Sequence, residues 1–359
     1  MFINRYVNSL KPYRLASHKA WLNSDSNILK LDWNESTIDP SPLVKQNIVS
    51  FLNNGKISWY PDVNNELLLK KIAVYCDIGI DNVQYYPSSD VIHECIARAF
   101  VEYEDKVLMV SPTYDNFRST FESYGAKIDF FYLSDDFLFD LDKLKEYLTN
   151  NNIRMVYICN PNNPTGTIYS RDTIEHLLLS FPEIMFIIDE AYFEFGGKTS
   201  KDLVIKYQNI LITRTFSKAF GLASFRIGYV ISSGENIKIL SKVRNPKNIN
   251  MLSQIAAISV LDDVSYMKKY ADDVMASKKY FSEELYEIGL KTYGEGGNFL
   301  LLKLNQKSKS DLILFLENKN IYIRDYGHIK KMEDFVRVTI GTKKQMEQVV
   351  LVIKEFYEK

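Results

Sequence analysis

The 359-residue sequence has few cysteines and histidines, and this scarcity excludes several kinds of site. The cysteines are far apart and form no C-x-x-C pair, which argues against a structural zinc site and against a disulfide framework. They are Cys76, Cys95 and Cys159. The four histidines are also scattered, without the spacing of metal ligands. We therefore expect no metal site, and a chain suited to a reducing cytoplasm.

The sequence also lacks a long apolar run and a dominant charge. No run approaches the roughly 20 residues of a membrane helix, and the amino terminus has no apolar signal-peptide core. Lys and Arg number 44 against 45 acidic residues, so no basic field would attract nucleic acid or anionic lipid. With 46% hydrophobic and 25% charged residues, the composition is that of a globular protein. We expect a soluble protein whose partners are small molecules.

The distribution of apolar residues predicts an α/β fold. Short apolar runs that are typical of buried strands alternate with segments whose apolar residues recur at helical spacing. The predicted strands are 83–86, 107–110, 128–133, 155–159, 184–188, 210–213 and 227–231, and the predicted helices between them include 90–102, 116–124, 141–149 and 171–180. This alternation predicts a mostly parallel seven-stranded sheet flanked by helices.

A second, smaller α+β domain is predicted after residue 250. One long helix is expected over 254–288, followed by strands 299–304, 321–324 and 335–340. Ser41 and Pro42 mark the start of the first large-domain helix, as N-cap and first helical residue. We thus expect an arm at 1–40 that folds onto the small domain, a large domain at 41–250 and the small domain at 251–359.

Three polar residues follow predicted strands at equal spacing along the chain. They are Asn160, Asp189 and Lys218. Because ligands bind at the carboxyl ends of parallel strands, the three side chains can converge on one edge of the sheet. Alone, each has an ordinary explanation as a turn former, helix cap or surface lysine. Together they suit a pyridine cofactor with an aldehyde, since a buried carboxylate keeps the ring nitrogen protonated and an amine forms the imine and moves protons.

An anion site is predicted beside Lys218. Thr215, Ser217 and Arg226 supply hydroxyls and a guanidinium, and the backbone amides near Ser89 and Asp90 open a helix that favours an anion. No G-x-G-x-x-G follows a strand and no G-x-x-x-x-G-K-[ST] is present, so dinucleotide and Walker sites lose their main support. The glycine-rich segment 294–297 is interpreted as a turn before Phe299. The predicted anion is the phosphate of pyridoxal 5′-phosphate.

Ten segments of the chain resemble the fold-type-I aminotransferases, and most closely the histidinol-phosphate aminotransferase family. In order, they are LKPYRLAS, WNES, WYPD, SPTY, NPNNPTG, IIDEAYFEF, TFSKAFGLASFRIGY, NFLL, IYIRD and FVRVTIGT. The resemblance implies that Lys218 holds the cofactor as a Schiff base and that Asp189 pairs with the pyridine nitrogen. It also implies contacts to the cofactor from Asn160, Tyr192, Tyr114, Ser89, Asp90, Thr215, Ser217 and Arg226.

The same resemblance implies a homodimer and a substrate site. Tyr60 of WYPD is similar to the tyrosine that reaches the cofactor of the neighbouring subunit. Arg337 resembles the arginine that binds a substrate carboxylate, and Arg324 and Tyr13 resemble residues that contact the substrate and its phosphate. Asn34 of WNES belongs to the same substrate group.

Two departures leave the substrate open. The chain reads NESTIDPSP where relatives usually have NENP-x-GPSP, and YPSSDV where they have GNGSDE. We expect transfer of an amino group, with glutamate as donor, to a small phosphorylated ketone or aldehyde through a ping-pong cycle. The alternative within the cofactor class is a decarboxylase of a phosphorylated amino acid, of phosphoserine or phosphothreonine type. A non-catalytic module of this fold would lack the lysine or the aspartate, and both are present.

Overall fold

The fold is that of a computed structural model, which describes residues 2–15, 17–25, 27–304 and 306–358, with the backbone alone for 306–308. Three residues named in the sequence analysis or bounding its expected domains lie outside the described residues: Ala16 of the LKPYRLAS segment, Met1 and Lys359. Within the described part, no helix combines the length and the apolar character needed to cross a membrane.

The strands form two sheets. In chain order they are β1 (Leu29–Leu31), β2 (Val83–Tyr86), β3 (Lys106–Ser111), β4 (Lys127–Tyr132), β5 (Met155–Cys159), β6 (Met185–Asp189), β7 (Ile210–Thr215), β8 (Gly228–Ser232), β9 (Lys291–Tyr293), β10 (Phe299–Lys303), β11 (Ile321–Asp325) and β12 (Phe335–Thr339). Within the described residues, the larger sheet has the order β2-β8-β7-β6-β5-β3-β4 and the smaller one β1-β11-β12-β10-β9.

Helices cover both sheets. They are α1 (Arg5–Ser9), α2 (Lys19–Leu22), α3 (Pro42–Asn54), α4 (Glu66–Cys76), α5 (Ser88–Phe100), α6 (Asn116–Ser123), α7 (Leu141–Asn150), α8 (Arg171–Ser180), α9 (Gly234–Val243), α10 (Met251–Asp262), α11 (Val264–Glu287), α12 (Gln306–Glu317) and α13 (Lys343–Tyr357). Short 3₁₀ turns lie at Ile80–Asn82, Lys201–Ile205 and Ala223–Phe225.

The larger sheet confirms the predicted α/β architecture. Pairings β4-β3-β5-β6-β7 are parallel, whereas β8 runs antiparallel to both β7 and β2. Strands β5 and β7 are buried along their whole length, as expected for parallel strands with helices on both faces. Ser41 caps α3 by accepting a hydrogen bond from the amide of Leu43, and Pro42 is the first helical residue, as predicted.

The smaller sheet includes the amino-terminal arm, since β1 pairs in parallel with β11. The single long helix predicted over 254–288 is wrong, because the chain breaks at Asp263 into α10 and α11. Asp263 has non-helical dihedrals, and its carboxylate accepts a 2.6 Å hydrogen bond from Ser41. Aspartate competes with a helix by bonding locally, which the apolar pattern does not reveal.

The boundary expected at residue 250 stays a prediction. Helix α10, just after it, packs against α3 and α4. By its contacts this helix lies with the helices of the larger sheet, whereas α11 and α13 pack together beside the smaller one.

Candidate active site

The buried carboxylate of Asp189 lies at the carboxyl end of β6, in the middle of the larger sheet. Its side chain is 3% exposed. One carboxylate oxygen accepts a hydrogen bond from the hydroxyl of Tyr157 at 2.8 Å, and the other accepts from the amide of Ala191 at 3.1 Å. The ring of His93 lies behind it, with Nε2 3.8 Å from the carboxylate. These contacts hold a negative charge at a fixed position on the sheet edge.

The amine of Lys218 lies in the loop after β7, on the same edge. Its Nζ donates a 2.9 Å hydrogen bond to the carbonyl of Trp33 and lies 5.6 Å from the ring centre of Tyr192. Burial, helped by the nearby guanidinium of Arg337, lowers the pKa of Lys218 to about 8. A lysine with a lowered pKa is more often neutral, and the neutral amine is the form that attacks a carbonyl.

An anion pocket borders Lys218. The hydroxyl of Ser217 accepts hydrogen bonds from Thr215 at 2.9 Å and from Arg226 at 3.3 Å. The amino end of α5 lies close by, against Gly228: a methyl there would lie 2.9 Å from the amide nitrogen of Ser89. Helix amides, hydroxyls and a guanidinium together form a cradle for a dianion.

Asp90 and Tyr114 close the outer side of this pocket. Arg226 donates to one carboxylate oxygen of Asp90 at 3.0 Å, and the hydroxyl of Tyr114 donates to the other at 3.0 Å. The ring of Tyr114 also lies edge-on to that of Tyr13, with centroids 6.0 Å apart. Tyr114 is thus placed at the wall between the anion pocket and the amino-terminal segment.

The structure does not support the role expected of Asn160. Its amide group donates to the backbone carbonyls of Tyr169 at 2.9 Å and Lys198 at 3.2 Å. Its oxygen accepts from the backbone amide of Tyr169 at 3.0 Å. Both amide protons are therefore bound to backbone, and Asn160 fastens its loop instead of facing the cleft.

Asn163, the later asparagine of the same NPNNPTG segment, faces the cleft. Its amide donates to the hydroxyl of Tyr192 at 3.3 Å, and its oxygen accepts from Arg337 at 2.6 Å. Asn34 donates to the same tyrosine hydroxyl at 3.2 Å. Two asparagines thus fix the hydroxyl of Tyr192 above the sheet edge.

Arg337 is the buried cation of the cleft, 4% exposed. Besides Asn163, its guanidinium donates to the hydroxyl of Tyr326 at 2.7 Å and to the carbonyl of Asp32 at 2.6 Å. Among the described residues, its buried Nε has no hydrogen-bond partner. A buried guanidinium with a free donor is suited to a carboxylate ligand.

Arg324 lies opposite Arg337 on the neighbouring strand β11. Its guanidinium donates to the carbonyl of Arg14 at 3.1 Å, at the exposed mouth of the cleft. Burial raises the pKa of Tyr13, whereas the positive charges of Arg324 and Arg337 oppose that rise. Tyr13 belongs to the amino-terminal segment and therefore lies close to both arginines.

Tyr60 stands apart from these residues. It is 79% exposed, and its ring lies 4.6 Å from the ammonium of Lys247. It has no hydrogen bond to the cleft within the described chain, so its reach to a neighbouring subunit stays a prediction. No group of three or more potential metal ligands is found among the described residues.

Comparison with known proteins identifies the family. The family model of aminotransferase class I and II matches residues 26–353. The chain belongs to the class I and II aminotransferases. It is 46% identical over 367 residues to a dihydroxyacetone phosphate transaminase of Campylobacter jejuni, with 100% of this chain and 98% of that protein covered.

Histidinol-phosphate aminotransferases are also similar to this aminotransferase. That of Caldanaerobacter subterraneus is 31% identical over 327 residues, which cover 91% of this chain and 92% of the relative. The solved structure of the Sinorhizobium meliloti enzyme, in complex with pyridoxal 5′-phosphate, has a TM-score of 0.89 at 22% identity and covers 99% of this chain and 97% of that one. The expected fold type and the family resemblance are confirmed.

The residues of this aminotransferase fit pyridoxal 5′-phosphate, the cofactor implied by its family. Asp189 is a buried carboxylate for the pyridine nitrogen, and Lys218 is an amine with a lowered pKa on the same edge. The hydroxyls of Thr215 and Ser217 and the guanidinium of Arg226, beside the amino end of α5, suit the phosphate.

Sequence reasoning missed Tyr157, Tyr326 and the orientation of Asn163. Tyr157 lies within a predicted strand, where it reads as one more core aromatic. The resemblance implied the cofactor contact for Asn160, and nothing in the letters NPNNPTG says which asparagine faces inward. The signal that could have led to Asn163 is that this loop contains asparagines besides Asn160, each of which is a candidate to face the cleft.

Proposed function

We propose that this aminotransferase moves an amino group from L-glutamate to dihydroxyacetone phosphate or a closely similar small phosphorylated ketone. The observation that supports this most is the pair of cross-strand arginines, one buried and one at the mouth, above the amine of Lys218. The buried Arg337 suits the α-carboxylate of the donor. The outer Arg324, with Tyr13, suits the phosphate of the acceptor.

Two similarities to known proteins support this acceptor. A small phosphorylated ketone or aldehyde is the class predicted from the sequence. The relative from Campylobacter jejuni, similar along the whole chain, is named for dihydroxyacetone phosphate. Since this ketone has a phosphate and no carboxylate, it can use the outer arginine alone, whereas glutamate needs the inner one.

Each residue near Lys218 then has a defined task. When bound, the cofactor supplies an electron sink next to the carbon that bears the amino group. Asp189 would hold the proton on the ring nitrogen, and Ser89, Asp90, Thr215, Ser217 and Arg226 would bind the phosphate. Nζ of Lys218 takes the proton from Cα of the donor, which is favourable because its pKa is about 8. The hydroxyl of Tyr192, held by Asn34 and Asn163, would donate a hydrogen bond to the ring oxygen.

A homodimer is part of the proposal. Exposed apolar side chains cluster along the chain beside Tyr60, with Trp59 67% and Ile57 63% exposed. Solvent-exposed tryptophan and tyrosine are enriched at protein interfaces. A second copy of this chain would cover them and bring Tyr60 to the neighbouring cofactor phosphate. We expect this dimer to work in the cytoplasm.

The proposal is tested by separating the two half-reactions. Holoenzyme mixed with glutamate alone should form 2-oxoglutarate in an amount equal to the cofactor, with a change in cofactor absorbance. Addition of dihydroxyacetone phosphate should restore the absorbance, whereas unphosphorylated dihydroxyacetone should not. Arg324→Met should raise the KM for dihydroxyacetone phosphate on the order of tenfold or more, and leave the glutamate half-reaction nearly unchanged.

The alternative decarboxylase gives the opposite pattern. It would release carbon dioxide from phosphoserine or phosphothreonine and form no 2-oxoglutarate from glutamate. Turnover of a phosphorylated imidazole ketone in preference to dihydroxyacetone phosphate would keep the transaminase and replace its acceptor.

A further inference from the structure

Lys278 is a buried lysine outside the cleft, on α11. Its side chain is 5% exposed. Its ammonium donates to three consecutive backbone carbonyls, those of Glu295 at 3.1 Å, Gly296 at 2.9 Å and Gly297 at 3.0 Å. An ammonium has three protons, so each one has an acceptor in the glycine-rich loop 294–297. Burial lowers the pKa of Lys278 to about 7, which shows how strongly this position is removed from water.

Loop 294–297 presses on the segment that contains Asn163. The amide of Gly296 donates to the carbonyl of Gly166 at 2.9 Å. A methyl on Gly296 would lie only 2.5 Å from Cγ of Pro161. Pro161 and Gly166 lie on either side of Asn163 in the chain, so the loop contacts the segment both before and after the asparagine that faces the cleft.

The same loop leads into a residue beneath the cleft. Phe299 follows it, and its ring lies edge-on to Tyr192 with centroids 5.1 Å apart. The guanidinium carbon of Arg337 lies 5.5 Å from the centre of the Phe299 ring. A shift of the loop would therefore disturb Asn163, Tyr192 and Arg337 together, while Lys218 and Asp189 lie on other elements.

We propose that Lys278 is a positioning residue for the carboxylate-binding part of the active site: it holds loop 294–297 against segment 160–166, so that Asn163 and Arg337 keep the geometry that binds the donor carboxylate. An apolar residue at 278 would leave three buried carbonyls without donors. This inference rests on the proposed transaminase function. It explains why loop 294–297 has three glycines: they allow the carbonyls to converge on one ammonium and the backbone to touch Pro161.

Lys278→Met tests the proposal, because methionine keeps most of the stem and removes the donors. In holoenzyme, the KM for glutamate should rise on the order of tenfold, since small misplacements of binding groups are costly. The Kd for succinate, an unreactive dicarboxylate, should rise by a similar factor in a calorimetric titration. The cofactor absorbance should stay that of the wild type.

Val274→Ala is the matched control, because Val274 is fully buried on the same helix and is not bonded to the loop. It should lower the melting temperature without changing either constant. Gly296→Ala perturbs the loop from its other face while keeping Lys278, and should weaken succinate binding like Lys278→Met. It tests whether loop 294–297 sets the geometry of the cleft, and Lys278→Gln, which keeps an amide donor, tests position 278 itself where Lys278→Met does not fold.

Three results overturn the proposal. They are unchanged succinate binding in Lys278→Met and Gly296→Ala, an equal weakening in Val274→Ala, and loss of cofactor absorbance together with succinate binding, which would indicate general damage. A wild-type protein that binds succinate but leaves glutamate unchanged would refute the proposed reaction alone, and the succinate comparison would still decide the role of Lys278. Where wild-type protein does not bind succinate, the KM for glutamate in the same variants decides the role of Lys278.

Discussion

The two sides of the cleft are assembled differently. The cofactor side, formed by Asp189, Lys218, Ser217, Arg226 and the start of α5, belongs to elements of the larger sheet: Ser217 contacts residues 2 and 9 positions away, Arg226 bonds to Asp90 of α5, and Lys218 alone among these bonds to the amino-terminal arm, at Trp33. The substrate side consists of Asn34, Asn163, Tyr326 and Arg337. There, Arg337 bonds to residues 174 and 305 positions away.

This difference predicts different sensitivities. The cofactor side is fixed by one sheet edge, so it should respond to local changes and resist remote ones. The substrate side requires the amino-terminal arm, the NPNNPTG loop and the smaller sheet to meet. Remote changes that shift any of the three should therefore affect substrate binding first.

Lys218→Ala should give the largest effect on the cofactor side. Removal of a group that both holds the cofactor and moves the proton should lower kcat on the order of 10⁴-fold or more. Formation of 2-oxoglutarate and the absorbance of the purified protein measure this. The exposed Lys238→Ala is the control and should behave as wild type. A yellow, active Lys218→Ala protein would refute the assignment of the lysine.

Arg337→Lys should give the largest effect on the substrate side. Lysine keeps the charge but loses the planar fork, so Asn163, Tyr326 and the carbonyl of Asp32 cannot all keep their donor. The KM for glutamate should rise on the order of 100-fold, or about 3 kcal/mol, while the cofactor absorbance stays unchanged. If the absorbance changed as much as the KM, the two sides of the cleft would not be separable.

The same difference decides how much the sequence could predict. Asp189 and Lys218 were predicted because parallel strands end on one edge, and Ser217 and Arg226 because they lie beside Lys218. Tyr326 was not found, and Asn160 was chosen over Asn163, because the direction of each amide depends on how distant segments dock. The break at Asp263 was missed for a similar reason: its hydrogen bond to Ser41 spans 222 residues.

Tyr157→Phe should give an intermediate effect, confined to the cofactor side. The change leaves a buried oxygen of Asp189 without its 2.8 Å hydrogen bond, at a cost of about 1–3 kcal/mol. The Kd for the cofactor should therefore rise on the order of tenfold, measured by equilibrium dialysis, with little change in succinate binding. Tyr169→Phe is the control, because its buried hydroxyl has no partner among the described residues. An equal rise in the Kd for the cofactor in both variants would show that the hydrogen bond from Tyr157 to Asp189 contributes no more than any other buried hydroxyl.

A pH-dependent change in stability distinguishes Lys218 from Lys278. The pKa of Lys218 is lowered from 10.5 to about 8 in the folded chain, so between these values the unfolded chain binds more protons. Stability of the cofactor-free protein should then rise with pH across this window. Lys218→Met removes this contribution, so at pH 7 the variant should be more stable than wild type by about 3 kcal/mol, and the gap should close towards pH 10. Lys278 has a lowered pKa in both proteins and cancels in the difference. Urea unfolding at several pH values measures this difference in stability. A difference that stays constant up to pH 10 would mean that the amine of Lys218 is still charged in the folded protein at that pH.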